Sequence, residues 1–426
     1  MLDLRLVREN PELVRQGIRD KHMTDVLPLL EELLGKDVEE RSLRHEMEGK
    51  QARRNAVSRE IGLLKRDGAD TTALLAEMGE LAQELRELEE RSRNLSGRVH
   101  ELLLELPNLL HESVPPGATE EDNVVVAEGG AEREYGFVPR PHWELPSFSD
   151  WVDLEAGVRM AGAGFPVFRG AGARLVGALQ SWLLSCLAEH GFTELRPPLL
   201  ASPAAALGAG MLPDKEGQMY EVKDGFYLIP TSEVALVNLH REEILDSDSL
   251  PYRYSAFTPC FRREAGSHGR DVRGLNRLHQ FDKIEMVVLC RPDESFALHD
   301  WMTEVAEGLL DELGLRWRRL FMCGGDTGFT QAKKYDLEAW SPGQERWLEV
   351  SSISNITDFQ ARRLQTRARP GGRAGKGRPE PVHMLNGSAF GFPRVLAALL
   401  ETYQQEDGSV LLPEVLRPYL GSDRLG

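Results

Sequence analysis

The segment Thr258–Met286 reads TPCFRREAGSHGRDVRGLNRLHQFDKIEM, a charged, glycine-rich stretch that runs into an alternating apolar one. Its charged and glycine residues include Arg262, Arg263, Glu264, Arg273, Arg277, Gly266, Gly269 and Gly274. The alternation that follows, from Leu278 to Val288, predicts a β-strand. Guanidinium groups bind phosphate oxygens two at a time, and the ring of Phe281 could stack on a base, so the stretch is a candidate nucleotide site. Taken alone, it also fits an ordinary solvated hairpin.

The composition bounds the class of protein. The chain has 426 residues, of which 41% are hydrophobic and 28% charged, as is ordinary for a soluble protein. This length predicts roughly two or three domains with a substantial core. No run of about 18 apolar residues is present, which argues against a membrane-spanning helix and a membrane partner. The first residues, MLDLRLVRENPELVRQ, mix charges too evenly for a secretory signal.

The four cysteines and the net charge limit the alternatives further. Cys186, Cys260, Cys290 and Cys323 lie far apart with no CxxC pair, so neither a structural zinc site nor a disulfide framework is expected. Reduced thiols favour a cytoplasmic protein. The net charge of −17 argues against a protein that coats nucleic acid over its whole surface, but it permits a local basic face.

Two heptad patterns occupy the N-terminal quarter of the chain. The interval Leu74–Leu106 has apolar residues at alternating steps of four and three, interrupted once by Ser92. The interval Leu43–Leu64 keeps the same rhythm with Lys50 and Arg54 in its seam. A turn-forming sequence with a helix N-cap separates them. The pattern predicts an antiparallel hairpin of two helices, each roughly 50–60 Å long. A dimerising coiled coil is the alternative that the heptads leave open.

The first of these helices is basic within an otherwise acidic protein. Its candidate nucleic-acid contacts are Arg41, Arg44, Lys50, Arg53, Arg54 and Arg59. Clustered basic residues of this kind are typical of a surface that binds a phosphate backbone.

Changes in composition predict three parts: a helical arm domain (1–110), a linker (111–125) and a larger domain (126–426). The larger domain mixes short strands with helices and has no GxGxxG or P-loop at a strand-to-helix junction, which predicts an α+β fold with a mostly antiparallel sheet flanked by helices. Its expected elements include strands Val124–Ala127, Phe226–Ile229 and Trp347–Ser351, and helices Arg174–His190, Val234–Glu243 and Arg394–Gln404. Residues 367–381 form a basic Gly/Pro-rich loop.

Three stretches in order carry a family resemblance. Gly191–Leu200 (GFTELRPPLL), Thr258–Met286 and His383–Arg394 (HMLNGSAFGFPR) resemble the three motifs of class II aminoacyl-tRNA synthetases. These three motifs follow a predicted N-terminal helical hairpin. In this order the chain resembles bacterial seryl-tRNA synthetases along essentially its full length. The resemblance implies the class II synthetase fold, a homodimer through the catalytic domain with Pro198 at its interface, and ATP-dependent serylation of tRNA(Ser), with tRNA(Sec) as a second acceptor known in the family.

The resemblance also assigns an amino-acid pocket. Thr231, Ser232 and Glu233 resemble the family's amino-acid-binding triplet, and Glu285 its serine ligand. Asn386 and Ser388 correspond to the floor of the pocket. A hydroxyl and a carboxylate can accept hydrogen bonds from an α-ammonium group. The triplet equally fits the N-cap of the helix Val234–Glu243, and both interpretations can hold together.

The resemblance assigns the ATP site to residues on three segments. These are Arg262, Arg263, Glu264, Arg277, Leu278, Phe281, Glu349, Val350, Ser351, Ser352 and Arg394, with Arg262, Glu349 and Arg394 as catalytic residues. Phe281 and Arg394 would enclose the adenine, and Arg277 would reach the terminal phosphates. The family usually has a small residue in place of Arg263, so its role is not assigned.

Glu349 and Ser352 resemble the family's magnesium ligands, and oxygen donors of this kind suit Mg²⁺. Strand alternation places them on opposite faces, so joint ligation requires a local bulge or a ligating water.

Two other functions fit parts of the sequence. One is an amino-acid ligase that loads a carrier protein, which the basic arm disfavours. The other is a catalytically dead coiled-coil regulatory paralogue, which the presence of Arg262, Glu285 and Arg394 disfavours.

Overall fold

The computed structural model describes residues 1–214, 217–264 and 273–425. Its internal contacts divide the chain into two units, Met1–Pro107 and Asn108–Gly426. Residues 108–125 belong to the second unit by hydrogen bonding as well, because the Asn108 and His111 amides donate to the carbonyls of Phe329 and Ala332.

The first unit is entirely helical among its regular elements. Its helices are α1 (Leu4–Glu9), α2 (Pro11–Asp20), α3 (Leu27–Arg66) and α4 (Thr72–Leu104). With 40 and 33 residues, α3 and α4 extend roughly 60 and 50 Å, at about 1.5 Å per residue. Asp70, two residues before α4, accepts hydrogen bonds from the amide and the hydroxyl of Thr72, the first residue of the helix. The predicted helical hairpin is confirmed.

The heptad seam forms the contact between α3 and α4. Its buried apolar residues include Leu43, Val57, Ile61, Leu81, Leu85, Leu88, Val99 and Leu102. The two basic seam positions behave differently. Lys50 reaches across the hairpin to Glu84, with 2.7 Å between Nζ and Oε2, whereas Arg54 is exposed. A charged residue is therefore tolerated in the seam where a carboxylate of the other helix pairs with it.

The second unit is α+β, as predicted. Its described helices are α5 (Phe148–Trp151), α6 (Leu154–Met160), α7 (Gly170–Glu189), α8 (Pro203–Ala209), α9 (Glu233–Val237), α10 (Ser295–Glu312), α11 (Phe359–Leu364), α12 (Phe392–Thr402) and α13 (Arg417–Leu420). Its described strands are β1 (Val124–Gly129), β2 (Val152–Asp153), β3 (Val167–Phe168), β4 (Thr193–Glu194), β5 (Leu200–Ala201), β6 (Tyr227–Leu228), β7 (Ile244–Asp246), β8 (Tyr252–Phe261), β9 (Gln280–Cys290), β10 (Trp317–Phe321), β11 (Lys333–Ser341), β12 (Arg346–Thr357), β13 (Arg367–Arg369), β14 (Glu380–Pro381), β15 (His383–Gly391), β16 (Val410–Leu411) and β17 (Arg424–Leu425).

Across the described residues, the main sheet has the strand order β1-β10-β11-β12-β15-β9-β8-β4. Every neighbouring pair is antiparallel except β4 and β8, which confirms the prediction of a mostly antiparallel sheet. The middle strands β12, β15 and β9 carry the segments predicted to contain the site.

Strand β9 shows how the sheet is buried on both faces. Ile284, Met286 and Val288 pack into the main core with residues of α7, α10 and α12. Val287 and Leu289, on the opposite face, pack into a smaller core with residues of α9. Because side chains alternate along a strand, the face of Val287 continues toward the start of β9 through residues 285, 283 and 281. That face becomes polar there, and it is the floor of the candidate site.

One predicted helix is shorter than expected. The helix predicted over Val234–Glu243 ends at Val237 in the structure. Asn238 at its end donates from its side chain to the carbonyls of Val234 and Ala205. Glu242 then adopts a left-handed backbone, with φ of 63°. Neither arrangement continues a helix, and the chain enters β7 instead.

Helix α7 is the one described helix long and apolar enough, by length and composition, to cross a membrane. The core helix of a soluble protein passes the same test. Leu175, Leu179, Trp182, Leu183 and Leu187 of α7 pack into the main core.

The basic Gly/Pro-rich loop of residues 367–381 is built around one arginine. The Arg369 guanidinium donates to the carbonyls of Gly372, Arg373 and Gly377. Three main-chain acceptors on one side chain fix the path of the loop.

Candidate active site

A cleft opens over the ends of β8, β9, β12 and β15 and the start of α12. The predicted residues that line it are Arg262, Glu264, Arg277, Leu278, Phe281, Glu349, Val350, Ser351, Ser352, Ser388 and Arg394. Leu275, Asn276 and Lys283 also line it. The structure therefore brings together nearly all of the predicted nucleotide residues from three separate segments.

Arg394 joins two walls of the cleft. Its Nε donates to the carbonyl of Asn276 at 3.1 Å, and its Nη1 donates to the carbonyl and the carboxylate of Glu349 at 3.1 and 3.3 Å. Partial burial raises the pKa of Glu349, but the charges of Arg394, Lys334 and Arg262 outweigh it and hold the pKa below its ordinary value. Glu349 is thus ionised at neutral pH and available as an anionic ligand.

A β-bulge settles the face on which Glu349 lies. In the pairing of β12 with β11, Ser351 is opposite Leu337 and Glu349 is opposite Glu338, which leaves Val350 without a partner of its own. One extra residue shifts the alternation, so Glu349 and Ser352 lie on the same face. This is the bulge that joint metal ligation was expected to require. The two oxygen donors are of the kind that Mg²⁺ prefers, and they lie on one face.

Asp336 lies beside this pair. It is 5% exposed, and it hydrogen-bonds the side chain of Ser352. Its other neighbour is Lys334, with 3.1 Å between Nζ and Oδ2. Burial raises the pKa of Asp336 to about 6, against the lowering effect of Lys334.

Arg262 lies at the centre of the cleft, between the two groups of predicted ligands. Its Nε donates to the carbonyl of Pro230 at 3.3 Å, and its guanidinium carbon is 5.2 Å from the centre of the Phe281 ring. Its main-chain amide donates to the carbonyl of His279, which ties the end of β8 to the start of β9. Nearby, Arg277 forms an ion pair with Glu264.

The structure does not bring every predicted residue of this segment to the cleft. Arg263 is exposed, and it is absent from the cleft lining although its amide donates to the carbonyl of Gln218. Because alternation along an extended segment sends neighbouring side chains opposite ways, Arg262 and Arg263 cannot share one surface. Gly266 and Gly269 lie outside the described residues. We call Arg262, Glu264, Arg277, Glu349 and Arg394 the open cluster, because its charges border solvent.

A second group of polar side chains lies deeper, on the same face of β9. Lys283 forms an ion pair with Glu285 and donates to the Thr231 hydroxyl at 2.7 Å. The side chains of Lys283 and Glu285 are 7% and 3% exposed. Ser388 donates to Glu285 at 3.5 Å. We call Thr231, Glu233, Lys283 and Glu285 the buried cluster.

Glu233 belongs to the buried cluster through its charge. It is 8% exposed and accepts a hydrogen bond of 2.6 Å from Gln360. Burial and the neighbouring carboxylate of Glu285 raise the pKa of Glu233 to about 7, against the lowering effects of Gln360, Lys283 and Arg262. A carboxyl with this pKa would ionise readily when a cation arrives.

The other members of the predicted triplet have different environments. Ser232 is fully buried and its hydroxyl donates to the carbonyl of Ala256 at 3.5 Å, a contact with β8. Ser232 precedes α9 without a side-chain capping bond, whereas the Thr231 hydroxyl accepts from the amide of Glu233 at 3.3 Å. The N-cap position belongs to Ser232, so neither residue caps the helix with its side chain from that position; the Thr231 hydroxyl, one residue earlier, also accepts from Lys283.

Strand β15 supplies the remaining predicted pocket residues. Ser388 is opposite Glu285, and Asn386 is opposite Val287, so both belong to the floor strands. Their exposed fractions are 9% and 7%. The Asn386 amide nitrogen is buried with no acceptor among the described residues. It is a hydrogen-bond donor that a bound molecule could use.

Sequence reasoning missed Lys283, Gln360, Asn276 and Asp336. Lys283 had a signal, since it lies two residues from both Phe281 and Glu285 and must share their face. The other three carry no local pattern. Asp336 reaches the site through the pairing of β11 with β12, whereas Gln360 in α11 and Asn276 in the turn before β9 reach it through tertiary packing.

The basic residues predicted to contact nucleic acid are largely paired with carboxylates. Arg41 pairs with Asp37, Arg44 with Glu40, Lys50 with Glu84 and Arg53 with Glu77, at 2.6–3.0 Å between the charged atoms. Arg54 and Arg59 have no carboxylate partner among the described residues of the chain. They are the two predicted contacts whose charge is not locally compensated.

The fold and the site define a class II aminoacyl-tRNA synthetase. Residues 218–403 match the family model described as the tRNA synthetase class II core domain (G, H, P, S and T). Residues 1–110 match the seryl-tRNA synthetase N-terminal domain. Since a mostly antiparallel sheet with this site is what the class predicts, sequence and fold agree.

Full-length relatives narrow the class to one family. The chain is 51% identical to the serine–tRNA ligase of Salinibacter ruber, covering 100% of this chain and 99% of the relative. It is 45% identical to that of Symbiobacterium thermophilum, covering 100% of both. The crystal structure of seryl-tRNA synthetase from Pyrococcus horikoshii complexed with ATP superposes with a TM-score of 0.94 at 36% identity, covering 100% of this chain and 99% of that chain. The chain belongs to the seryl-tRNA synthetase family, whose members are serine–tRNA ligases, and the predicted family is confirmed.

Proposed function

We propose that this chain activates L-serine with ATP to seryl-adenylate and transfers the seryl group to the 3′-terminal adenosine of tRNA(Ser). The observation that carries the proposal is the position of Arg262, the member of the open cluster whose charge acts both on Glu349 and on Glu233 of the buried cluster. The open cluster offers arginines to phosphates, and the buried cluster offers carboxylates to an ammonium group. The clusters meet at Lys283 of β9, which lines the cleft and forms an ion pair with Glu285.

Adenylation joins two anions, because the serine carboxylate attacks the α-phosphorus of ATP. A guanidinium between them neutralises their repulsion and orients the attack, which is the role we assign to Arg262. No general base is needed, since the nucleophile is already ionised. The attacking oxygen forms a bond to phosphorus as the bond to pyrophosphate breaks.

On the ATP side, Phe281 and Arg394 would enclose the base, and Arg277 would reach the terminal phosphates. Glu349 and Ser352 would hold Mg²⁺, which, when bound, supplies charge neutralisation at the phosphates. On the serine side, Glu233 and Glu285 would accept the ammonium and hydroxyl donors. Asn386 and Ser388 would line the pocket floor.

Serine-dependent ATP–pyrophosphate exchange tests the proposal directly. The wild-type chain should catalyse exchange with serine, and Arg262→Ala should lower it by about 10²-fold or more, because a stabilising charge at the transition state is lost. Arg241→Ala is the matched control, since Arg241 is exposed and pairs with the adjacent Glu242. Normal exchange by Arg262→Ala, or no serine dependence in the wild type, would exclude the assignment.

We infer that α3 and α4 bind tRNA by contacting its phosphate backbone and recognising its shape more than its bases. Because such recognition does not depend on the anticodon, we extend the proposal to tRNA(Sec). Arg54 and Arg59 support it, because their charge is not locally compensated. Replacing each with Ala should reduce the slope of log K against log salt by about 1 for tRNA(Ser) binding. Arg53→Ala is the control: it removes a cation already paired with Glu77 and should change the slope less. Equal slopes for all three variants would refute the inference.

We also infer a cytoplasmic homodimer formed through the catalytic domain. Leu199 and Leu200 are 36% and 49% exposed beside Pro198, in the segment that resembles the class's dimer motif. All four cysteines are free thiols, as suits a reducing compartment. Sedimentation should give twice the chain mass for the wild type, and Leu200→Asp should shift the chain toward monomer. A monomeric wild type would refute the dimer.

A further inference from the structure

Glu401, near the end of α12, is a fully buried carboxylate that no part of the proposed reaction uses. Its Oε1 accepts from the His142 amide (2.9 Å), the His142 ring Nδ1 (2.8 Å) and the Gln344 side chain (2.9 Å). Its Oε2 accepts from the Ser341 hydroxyl and from the Gly343 amide at 3.0 Å. Five donors on one carboxylate require it to be an acceptor at every position, hence ionised.

These contacts fix the tautomer of His142. Because Glu401 is an acceptor, the proton of the neutral ring lies on Nδ1, and Nε2 carries a lone pair. That lone pair accepts the amide of Leu275 at 2.9 Å. His142 is fully buried, so this main-chain amide has its partner in the interior of the protein. The imidazole thereby links α12 to the turn of residues 274–277.

Two further bonds converge on the same turn. Gln344, held by Glu401, accepts from the Asn276 amide group at 2.9 Å. The carbonyl of Asn276 accepts from Arg394 at 3.1 Å. Arg394 and Glu401 lie seven residues apart, near the start and the end of α12. Arg394 contacts the turn directly, whereas Glu401 holds it through His142 and Gln344.

The packing at this turn leaves little room for an alternative. Gly274 has φ of +60°, and a Cβ at this position would lie 2.2 Å from His142 Nε2. His142 also makes edge contacts with the rings of Trp143 and Phe148, at 4.8 and 5.6 Å between centroids. The ring is therefore fixed on both sides while its two nitrogens bridge Glu401 and Leu275.

We propose that Glu401 and His142 are positioning residues for ATP, which hold the turn of residues 274–277 so that Asn276, Arg277 and Arg394 face the nucleotide. The proposal rests on the proposed function, since it takes the open cluster to be the ATP side. It adds that ATP affinity depends on a hydrogen-bond relay that touches neither ATP nor serine. Serine binding does not depend on it, because within the described residues the buried cluster shares no hydrogen bond or ion pair with the relay.

Two substitutions at one position separate the ends of the relay. His142→Asn keeps a donor near Nδ1 for Glu401 but removes the acceptor of the Leu275 amide. His142→Gln places a carbonyl oxygen near Nε2 and keeps that acceptor. In serine-dependent ATP–pyrophosphate exchange, His142→Asn should raise the KM for ATP about tenfold or more, because a buried amide loses its partner. His142→Gln should raise it by less than about threefold. Neither should change the KM for serine.

A third variant avoids the protein interior. Gln344 is only partly buried, and Gln344→Met removes its bonds to Glu401 and Asn276. Of these two bonds only the one to Asn276 reaches the turn, so the KM for ATP should rise roughly threefold, as expected for one lost hydrogen bond. Glu345→Asn is its control, because Glu345 is exposed and Asn tolerates its left-handed backbone (φ 52°).

The outcomes separate this relay from general destabilisation. The midpoint temperature of thermal unfolding should fall by similar amounts for the two His142 variants. Only His142→Asn should raise the KM for ATP strongly. Equal KM values for ATP in the two variants, or a KM for serine that rises in parallel, would overturn the relay. An active wild type with an unaffected His142→Asn variant refutes only this inference, whereas an inactive wild type refutes the proposed function.

Discussion

The two clusters of the site differ in how water reaches their charges. In the buried cluster, the side chains of Glu285 and Lys283 are 3% and 7% exposed. In the open cluster, those of Glu349 and Arg394 are 48% and 36% exposed. Each pair consists of oppositely charged neighbours, but the free energy lost when the pair is broken differs between the two clusters. A charge pair at the surface contributes about 1 kcal/mol or less, whereas breaking a buried pair leaves an uncompensated charge at a cost of about 3–5 kcal/mol.

The difference suggests a division of tasks. In the buried cluster, Lys283 contacts the Glu285 carboxylate and the Thr231 hydroxyl before a ligand arrives, so a ligand that displaces these contacts without replacing them leaves a buried group unpaired. That is how a site rejects close analogues. In the open cluster, Arg394 can exchange its contact with Glu349 for the nucleotide base at small cost, because solvent screens both charges. An adaptable surface suits a large, flexible polyanion.

The largest effect is expected from breaking the buried pair. Glu285→Gln removes the charge that compensates Lys283, and the KM for serine should rise about 10²-fold or more, with the KM for ATP within about twofold. Exchange kinetics with each substrate varied in turn measure both constants. Glu242→Gln, at a 70% exposed side chain, is the control. An equal rise in both constants would erase the distinction between the clusters.

A smaller effect is expected on the open side from Glu349→Gln. The variant weakens the contact with Arg394 and a metal ligand, so the KM for ATP and the Mg²⁺ concentration for half-maximal exchange should each rise roughly tenfold. The KM for serine should stay unchanged. Magnesium titration of the exchange rate gives the midpoint. If Glu349→Gln raised the KM for serine instead, Glu349 would belong functionally with the buried cluster.

The pH dependence should separate the clusters without a substitution. With a pKa of about 7, Glu233 is largely protonated below pH 7 and ionised above it. Since an ammonium group binds the ionised form, the KM for serine should rise as pH falls from about 8 to 6, by at most about tenfold per unit below the pKa. Glu285, Lys283, Arg262 and Gln360 are the groups that act on Glu233.

Glu233→Gln should remove this dependence and leave the KM for ATP as it is in the wild type at each pH. A wild-type KM for serine that is flat between pH 6 and 8 would show that Glu233 does not receive the ammonium group.

The smallest effect is expected from the ion pair of Glu264 and Arg277 in the open cluster. Glu264→Gln weakens the ion pair with Arg277, whose side chain is 36% exposed. The free energy of unfolding should fall by about 1 kcal/mol or less, and the KM for ATP should change by only about two- to threefold. Urea denaturation measures the first and exchange the second. A loss of several kcal/mol would mean that the open cluster is rigid, like the buried one.

Much of the fold could be predicted because its signals are local. Heptads from Leu43 to Leu106 determined the helical hairpin, since an apolar seam at this spacing has to be covered by another helix. Alternation along residues 278–288 determined β9, and with it the common face of Phe281 and Glu285. The same rule would have placed Lys283 there. Alternation also explains why the side chains of the neighbours Arg262 and Arg263 lie on opposite sides of the segment.

Other parts of the site have no local signal. Helix α9 ends early because the side chain of Asn238 donates to Ala205 in another segment as well as to Val234. The position of Gln360 beside Glu233 joins residues far apart in the sequence. The charge pairing of Lys50 and Arg53 depends on which carboxylates of α4 face α3. Such contacts follow from how elements pack, which a linear pattern does not encode.

The sequence by itself determined the helical hairpin, the mostly antiparallel sheet and the arginines, aromatic ring and carboxylates that carry the proposed chemistry, because periodicity and residue type act over a few neighbours. Only the tertiary structure decided which side chains meet. The bulge at Val350 places Glu349 and Ser352 on one face, and the pairing of β9 with β15 places Ser388 beside Glu285. The relay from Glu401 through His142 to Leu275 joins three distant segments. Sheet register and burial create these contacts, since each depends on strands and helices that are distant in sequence.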